Sequence, residues 1–245
     1  MTAATRSASS PGASTQGGVA LVSGAASGIG AATTAELRRR GWAVAGLDLR
    51  PVPDADLALE ADTTDEAAVR DAVASAGRLL GPLDAVVSAA GHYAMAPFGS
   101  IPDEEWHRML RVHVGGLAHL ARAAVPDMVR RRHGVIVAIG SELAIGGGDG
   151  DAHYAAAKGA VHGLARSLAV ELAATGVRVN VIAPGPTDTP LLEPTSPWRA
   201  ADYLATLPLR RLVRPQEVAR AVAFVIEEGT FLTGEVLSPN AGAVI

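Results

Sequence analysis

The feature that most constrains this chain is a rhythm. From Val19 onward, short apolar runs rich in β-branched residues alternate with segments of helical period. The runs are Val19–Ser23, Ala43–Leu47, Ala85–Ser88, Val135–Ile139 and Val177–Ile182. Between them lie Ile29–Arg40, Glu66–Ala76, Glu104–Arg132, Ala152–Ala174 and Gln216–Glu227. Strand runs that are apolar on both faces belong in a parallel sheet covered by helices on both sides. The rhythm therefore predicts an α/β fold with one doubly wound sheet. Gly41 and Gly176 stand where helices should stop. Pro102-Asp103 and Pro215 stand where two should start. Pro126 falls inside the third helix and predicts a kink there.

No second rhythm follows, so residues 19–245 are expected to form a single domain. Residues 1–18 are mostly Ser, Thr, Ala and Gly and are expected to be a disordered tail. They lack the apolar core of a secretory signal, so the expected location is cytoplasmic. Composition narrows the partners. A net charge of -4 argues against nucleic acid, which demands a basic face. No apolar run approaches the ~18 residues of a membrane span. The absence of cysteine removes disulfides, thiolate catalysis and Cys-ligated metal, and no metal is expected. A small-molecule partner remains.

The first strand runs into Ser23-Gly24-Ala25-Ala26-Ser27-Gly28-Ile29-Gly30 and then a helix. Glycines there permit a tight turn and a close approach of backbone to a pyrophosphate, which a helix N-terminus attracts. The spacing is G-x-x-x-G-x-G, so by itself it is equally a plain strand-to-helix turn. The second strand ends at Asp48, 18 residues after Gly30. A carboxylate there accepts from both adenosine ribose hydroxyls and repels a 2′-phosphate. Unless Asp48 is only a solvated loop acid, the cofactor is NAD(H). Arg50 is the one feature that favours NADP(H).

Of the 21 Lys+Arg, the single lysine is Lys158. It lies four residues after Tyr154 in an Ala-rich helical segment, so the two share one face. An ammonium beside a phenol favours phenolate and lowers its pKa, which makes Tyr154 an acid/base for a carbinol or carbonyl oxygen. Ser141 follows the strand Val135–Ile139, at the end where doubly wound sheets bind ligands. Its hydroxyl is placed to hold the substrate oxygen, or else to close a strand-end turn.

With these residues the chain resembles the short-chain dehydrogenase/reductase family over essentially everything after the tail. The glycine motif, Asp48, Asp62-Thr63, Ser141, Tyr154, Lys158, Arg178-Val179-Asn180, Pro184-Gly185, Thr189 and Leu232-Thr233-Gly234-Glu235 all fall in family order. The resemblance implies a Rossmann-type seven-stranded sheet in order 3-2-1-4-5-6-7, and a homotetramer or homodimer. It implies Tyr154 as acid/base, Ser141 as substrate-oxygen donor, and Lys158 as tuner of Tyr154 and ligand of the nicotinamide ribose. Gly24, Ser27, Gly28, Ile29, Gly30, Asp48, Asp62, Thr63, Ala90 and Gly91 would meet the cofactor from one side. Pro184, Gly185, Thr187 and Thr189 would meet its nicotinamide end. Two departures stand out. Ser88-Ala89-Ala90-Gly91 replaces the usual N-N-A-G, so an Asn that supports the central strands is missing. His113 replaces the helical Asn of the catalytic tetrad. It either serves in proton relay, with a pH dependence from its own charge, or is a packed helix histidine.

For the substrate, the spacing of Asp48 and Asp62 and the segments Pro184–Thr189 and Pro208-Leu209 resemble 2,3-dihydro-2,3-dihydroxybenzoate dehydrogenases. Those substrates carry a carboxylate. The loop 142–153 instead offers Glu142, Asp149 and Asp151 and no Arg, which suits hydroxyl-rich or amine-bearing molecules unless these acids face solvent. His92, Tyr93, Glu142, Asp149 and Trp198 are the expected substrate contacts, and 191–207 the expected lid. The expected activity is hydride transfer between NAD(H) and a secondary alcohol on a cyclic or polyhydroxylated molecule. An NADPH-dependent 3-oxoacyl-type ketoreductase and a non-catalytic nucleotide-binding scaffold are the alternatives.

Overall fold

A computed structural model of the chain describes residues 5–6 and 17–244. The apolar runs form strands β1 (Val19–Ser23), β2 (Ala43–Asp48), β4 (Ala85–Ser88), β5 (Gly134–Ile139) and β6 (Val177–Ile182). Two shorter strands, β3 (Leu57–Glu60) and β7 (Val236–Leu237), complete a parallel sheet in order β3-β2-β1-β4-β5-β6-β7. This is the order the resemblance implies. Thr5–Arg6 add an antiparallel pairing at the β3 edge, an eighth strand within the stretch expected to be a tail. The rest of that tail before Gly17 lies outside the described residues.

Alternation along each strand divides the core in two. Leu21, Leu47, Val86, Ile136 and Val179 point to one face. There they pack under α2 (Glu66–Leu79), α4 (Gly116–Arg131) and α6 (Ala152–Leu172). Ala20, Val22, Val44, Val87 and Val137 point to the other, under α1 (Gly28–Arg39) and α8 (Pro215–Glu227). With both faces covered, the sheet leaves the ends of its strands for a ligand. Gly41 and Gly176 close their helices with φ of +87° and +84°.

The third predicted helix is divided. α3 (Asp103–Leu110) passes through a π-helical turn, Arg111–Gly115, into α4. α4 continues through Pro126, so the irregular turn falls around His113 rather than at the proline. Such turns widen a helix by one residue and occur preferentially at functional sites. A single turn, α5 (Leu143–Gly146), precedes α6, and α7 (Ala201–Thr206) lies in the expected lid.

Candidate active site

The carboxyl ends of the strands open into a cleft of about 760 Å³ at the reversal of strand order between β1 and β4. Every residue expected to bind cofactor lines it. The turn between β1 and α1 is shaped by sterics. Gly24 has φ +69°, and a β-carbon there would lie 2.8 Å from the backbone of Ala89 and Ala90. A β-carbon at Gly30 would collide with the Gly24 carbonyl oxygen. Ser27 caps α1 without a side-chain hydrogen bond, so the first-turn N–H groups remain available to an anion.

Asp48 holds the next position. Its Oδ2 accepts from the Ala26 N–H at 3.0 Å and its Oδ1 from the Arg50 N–H at 3.0 Å. The Arg50 guanidinium folds over it, with Nε 3.3 Å from Asp48 Oδ1 and Nη2 donating to Ser27 Oγ at 2.8 Å. Asp62 closes its own turn by accepting from the Thr64 N–H at 2.8 Å. The missing Asn after β4 has a substitute that sequence reasoning passed over. The buried Ser23 hydroxyl accepts from the N–H groups of Ala89 at 3.1 Å and Ala90 at 3.2 Å. The central strands are thus tied from β1 instead of from β4.

Ser141, Tyr154 and Lys158 are all buried on the cleft wall. Ser141 Oγ donates to Glu142 Oε2 at 2.9 Å and accepts from the Leu143 N–H at 3.2 Å. Lys158 Nζ donates to the Ile139 carbonyl at 2.8 Å and lies 5.6 Å from the Tyr154 ring centroid. The expected lowering of the phenol pKa is not what this arrangement produces. Burial pushes the Tyr154 phenol well above its usual value, the Glu142 charge adds to this, and the Ser141 hydroxyl opposes it. Lys158 sits over the ring, and burial lowers its own pKa to about 7. It has no carboxylate partner among the described residues, and the hydroxyls of a ribose are acceptors suited to it.

His113 lies in the π-helical turn, buried, its ring edge-on to Tyr154 at 5.5 Å between centroids. Its Nε2 is 2.9 Å from the His92 carbonyl, which can only accept. The proton therefore sits on Nε2, and Nδ1, buried without a partner among the described residues, is an acceptor. Burial first and the Lys158 charge second hold His113 well below the usual imidazole pKa. A relay through His113 would therefore carry no pH dependence from its own charge near neutral pH, where the ring stays neutral.

The expected substrate residues separate. Tyr93, half-buried, donates from its hydroxyl to Asp151 Oδ1 at 2.7 Å and accepts from Trp198 Nε1 at 2.8 Å. Tyr93 also packs edge-on against Tyr154 at 5.1 Å. This chain joins the lid to the start of α6. His92 pairs with Glu105 at 2.8 Å. Glu142 lines the cleft at 5% exposure, and burial raises its pKa to about 7. Asp149 is exposed and does not line the cleft. It follows Gly146, Gly147 and Gly148, whose loop carries it outward. Asp151, two residues on, is the fully buried acid that sequence reasoning named but did not single out. Among the described residues no group of three or more His, Cys, Asp or Glu is placed to hold a metal ion.

The glycine cradle, the open first-turn N–H groups of α1, Asp48 and Lys158, which has no carboxylate partner among the described residues, together fit a dinucleotide. A nicotinamide dinucleotide bound there would supply or accept a hydride. Fold and cleft thus define a dinucleotide-dependent oxidoreductase. The comparisons agree. Residues 24–243 match a family model described as enoyl-(acyl carrier protein) reductase. A 3-oxoacyl-[acyl-carrier-protein] reductase of Thermotoga maritima is 32% identical over 94% of this chain and 99% of its own length. The cis-4-hydroxycyclohexanecarboxylate dehydrogenase of Sinomonas cyclohexanicum is 38% identical over 91% of this chain and 95% of its own. A 3-ketoacyl-(acyl-carrier-protein) reductase from Brucella melitensis, solved with NADH, superposes with a TM-score of 0.88. It is 30% identical and covers 95% of this chain and 100% of that one. The chain belongs to the short-chain dehydrogenase/reductase family, as an oxidoreductase acting between CH–OH and keto groups. No described helix is long and apolar enough to cross a membrane.

Proposed function

We propose that this chain interconverts a secondary alcohol and its ketone on a ring-bearing small molecule, using NAD(H). The observation that carries the reading is the convergence of Ser141, Tyr154 and Lys158 on the same cleft as the glycine cradle. In oxidation, Tyr154 first loses its phenol proton to water in the cleft, and the phenolate then takes the proton of the carbinol oxygen, held by Ser141, as the hydride leaves carbon. In reduction, Tyr154 returns that proton to the carbonyl oxygen. Burial holds the phenol neutral, so Tyr154 already has the proton that reduction requires. Neutral His113 lines the same cleft and offers Nδ1 as an acceptor there.

Support for a ring alcohol comes from the Sinomonas relative, named for a hydroxycyclohexane substrate. Support for NAD(H) comes from the Asp48 carboxylate in the cleft and from the NADH-bound Brucella neighbour. A homotetramer or homodimer is part of the reading, supported by the family resemblance. One observation favours a second reading, an NADPH-dependent 3-oxoacyl-type ketoreductase: Arg50 stands beside Ser27 and Asp48, where a 2′-phosphate would seek a guanidinium. Titration with both reduced cofactors, followed by an alcohol and ketone panel, separates these. Tighter NADH binding with turnover of cyclic alcohols supports the first reading; tighter NADPH binding with turnover of 3-oxoacyl thioesters supports the second. Cofactor binding with no turnover in either direction would leave a nucleotide-binding scaffold.

A further inference from the structure

Glu142 is a buried acid that the chemistry above does not use. It stands at 5% exposure on the cleft wall, next in sequence to the residue that holds the substrate oxygen. Its carboxyl accepts from the Ser141 hydroxyl, the N–H groups of Glu142 and Leu143 donate to the Pro184 carbonyl and to Ser141 Oγ, and no Arg or Lys bonds it among the described residues. Other groups that face it, Asp151, Tyr93 and Tyr154, bring no positive charge. A carboxyl kept only for packing would be served better by an apolar side chain of similar volume.

Binding of a simple alcohol disturbs this pair. Without substrate, the Ser141 proton is directed at Glu142 Oε2, 2.9 Å away. An incoming oxygen that takes this proton leaves a buried acceptor without its donor, which costs about tenfold or more in binding. A substrate that brings its own donor to the Glu142 side removes that cost. The donor must lie beside the reacting oxygen, as far from it as Glu142 Oε2 is from Ser141 Oγ. Two hydroxyls on adjacent carbons, held gauche, have that spacing.

We propose that Glu142 makes this site selective for vicinal diols, and in the reverse direction for α-hydroxyketones. The reacting hydroxyl lies on Ser141 and Tyr154 while its neighbour donates to Glu142. The diol loses a hydride from the carbinol carbon to NAD and the attached oxygen's proton to Tyr154 in its phenolate form, and leaves as an α-hydroxyketone. The inference rests on the proposed alcohol/ketone activity.

The test uses the full chain with NAD and three matched alcohols: cyclohexanol, 1,2-cyclohexanediol as separate cis and trans isomers, and 2-methoxycyclohexanol, which keeps the second oxygen but not its proton. Wild type should favour one diol isomer over both other alcohols by about tenfold or more in kcat/KM. Glu142→Gln, which retains an acceptor, should keep part of the preference, and Glu142→Ala should level the three. A diol no better than its methyl ether in wild type overturns the inference, and this arm stands even where a variant fails to fold. A preference that persists in Glu142→Ala also overturns it. Equal turnover of all three alcohols sinks the diol inference and leaves the alcohol/ketone activity standing. No turnover of any alcohol or corresponding ketone, with NADH binding intact, sinks both.

Discussion

The two halves of the cleft are built by different means. The cofactor half is a matter of backbone: Gly24 and Gly30 leave room, α1 presents its N–H groups, and Asp48 is anchored to the Ala26 amide. The substrate half is a matter of buried side chains. Glu142, Tyr154 and Lys158 are each pushed by burial toward their neutral forms, and His113 Nδ1 is left without a partner. In the first half, Asp48 is already held by backbone N–H groups while the α1 terminus stays open to an anion. In the second, polar groups are held at a cost in stability that a well-placed ligand offsets.

If the halves are separable, substitutions should damage one and spare the other. The largest effect is expected at Lys158. Lys158→Ala should lower kcat by two to four orders of magnitude, about the range of lost acid/base support, and also weaken NADH binding because Lys158 borders both halves. Single-turnover rates alongside fluorescence titration read the two. Next is Gly30→Val, whose side chain enters the space of the Gly24 carbonyl. NADH binding should fall by about a hundredfold or the fold should fail, and a thermal melt distinguishes these outcomes. Asp48→Ala should shift the NADH/NADPH affinity ratio by about tenfold toward NADPH and leave the kcat of saturated enzyme near wild type.

The last effect concerns stability alone. Glu142 is raised from 4.5 to about 7 in the folded chain. The folded state therefore holds a proton that the unfolded state releases, and this group favours folding most below pH 4.5. The advantage is lost as pH rises through 7, leaving a cost on the order of 3 kcal/mol above it. Glu142→Gln should be more stable than wild type at pH 8, and the gap should close as pH falls toward 5. Denaturant midpoints across that range test it, and a gap independent of pH would show that the carboxyl is not strained.

The same division explains what the sequence could reveal. Five strands were legible as apolar runs, while Leu57–Glu60 and Val236–Leu237 were too short to stand out and came only with the family order. The proposed cofactor residues, which line the cleft, could be found because their role depends on glycine spacing and strand ends, which are local. The proposed catalytic pair could be found because Tyr154 and Lys158 lie one helical turn apart. The phenol's raised pKa could not, because it depends on burial by segments distant in the chain. Nor could the support of β4 by Ser23, since a serine before a glycine turn has no distinguishing pattern until Ala89 and Ala90 lie against it. Asp149 and Asp151 look alike as letters, yet one faces solvent and the other is sealed under Tyr93.

The most direct test of this division is Tyr154→Phe, measured for NADH affinity and for turnover of a cyclic alcohol in the same preparation. Removing one hydroxyl from the substrate half should leave NADH affinity within about twofold and cut kcat by about 10²–10⁴. Turnover near the wild-type rate with affinity unchanged would contradict the account.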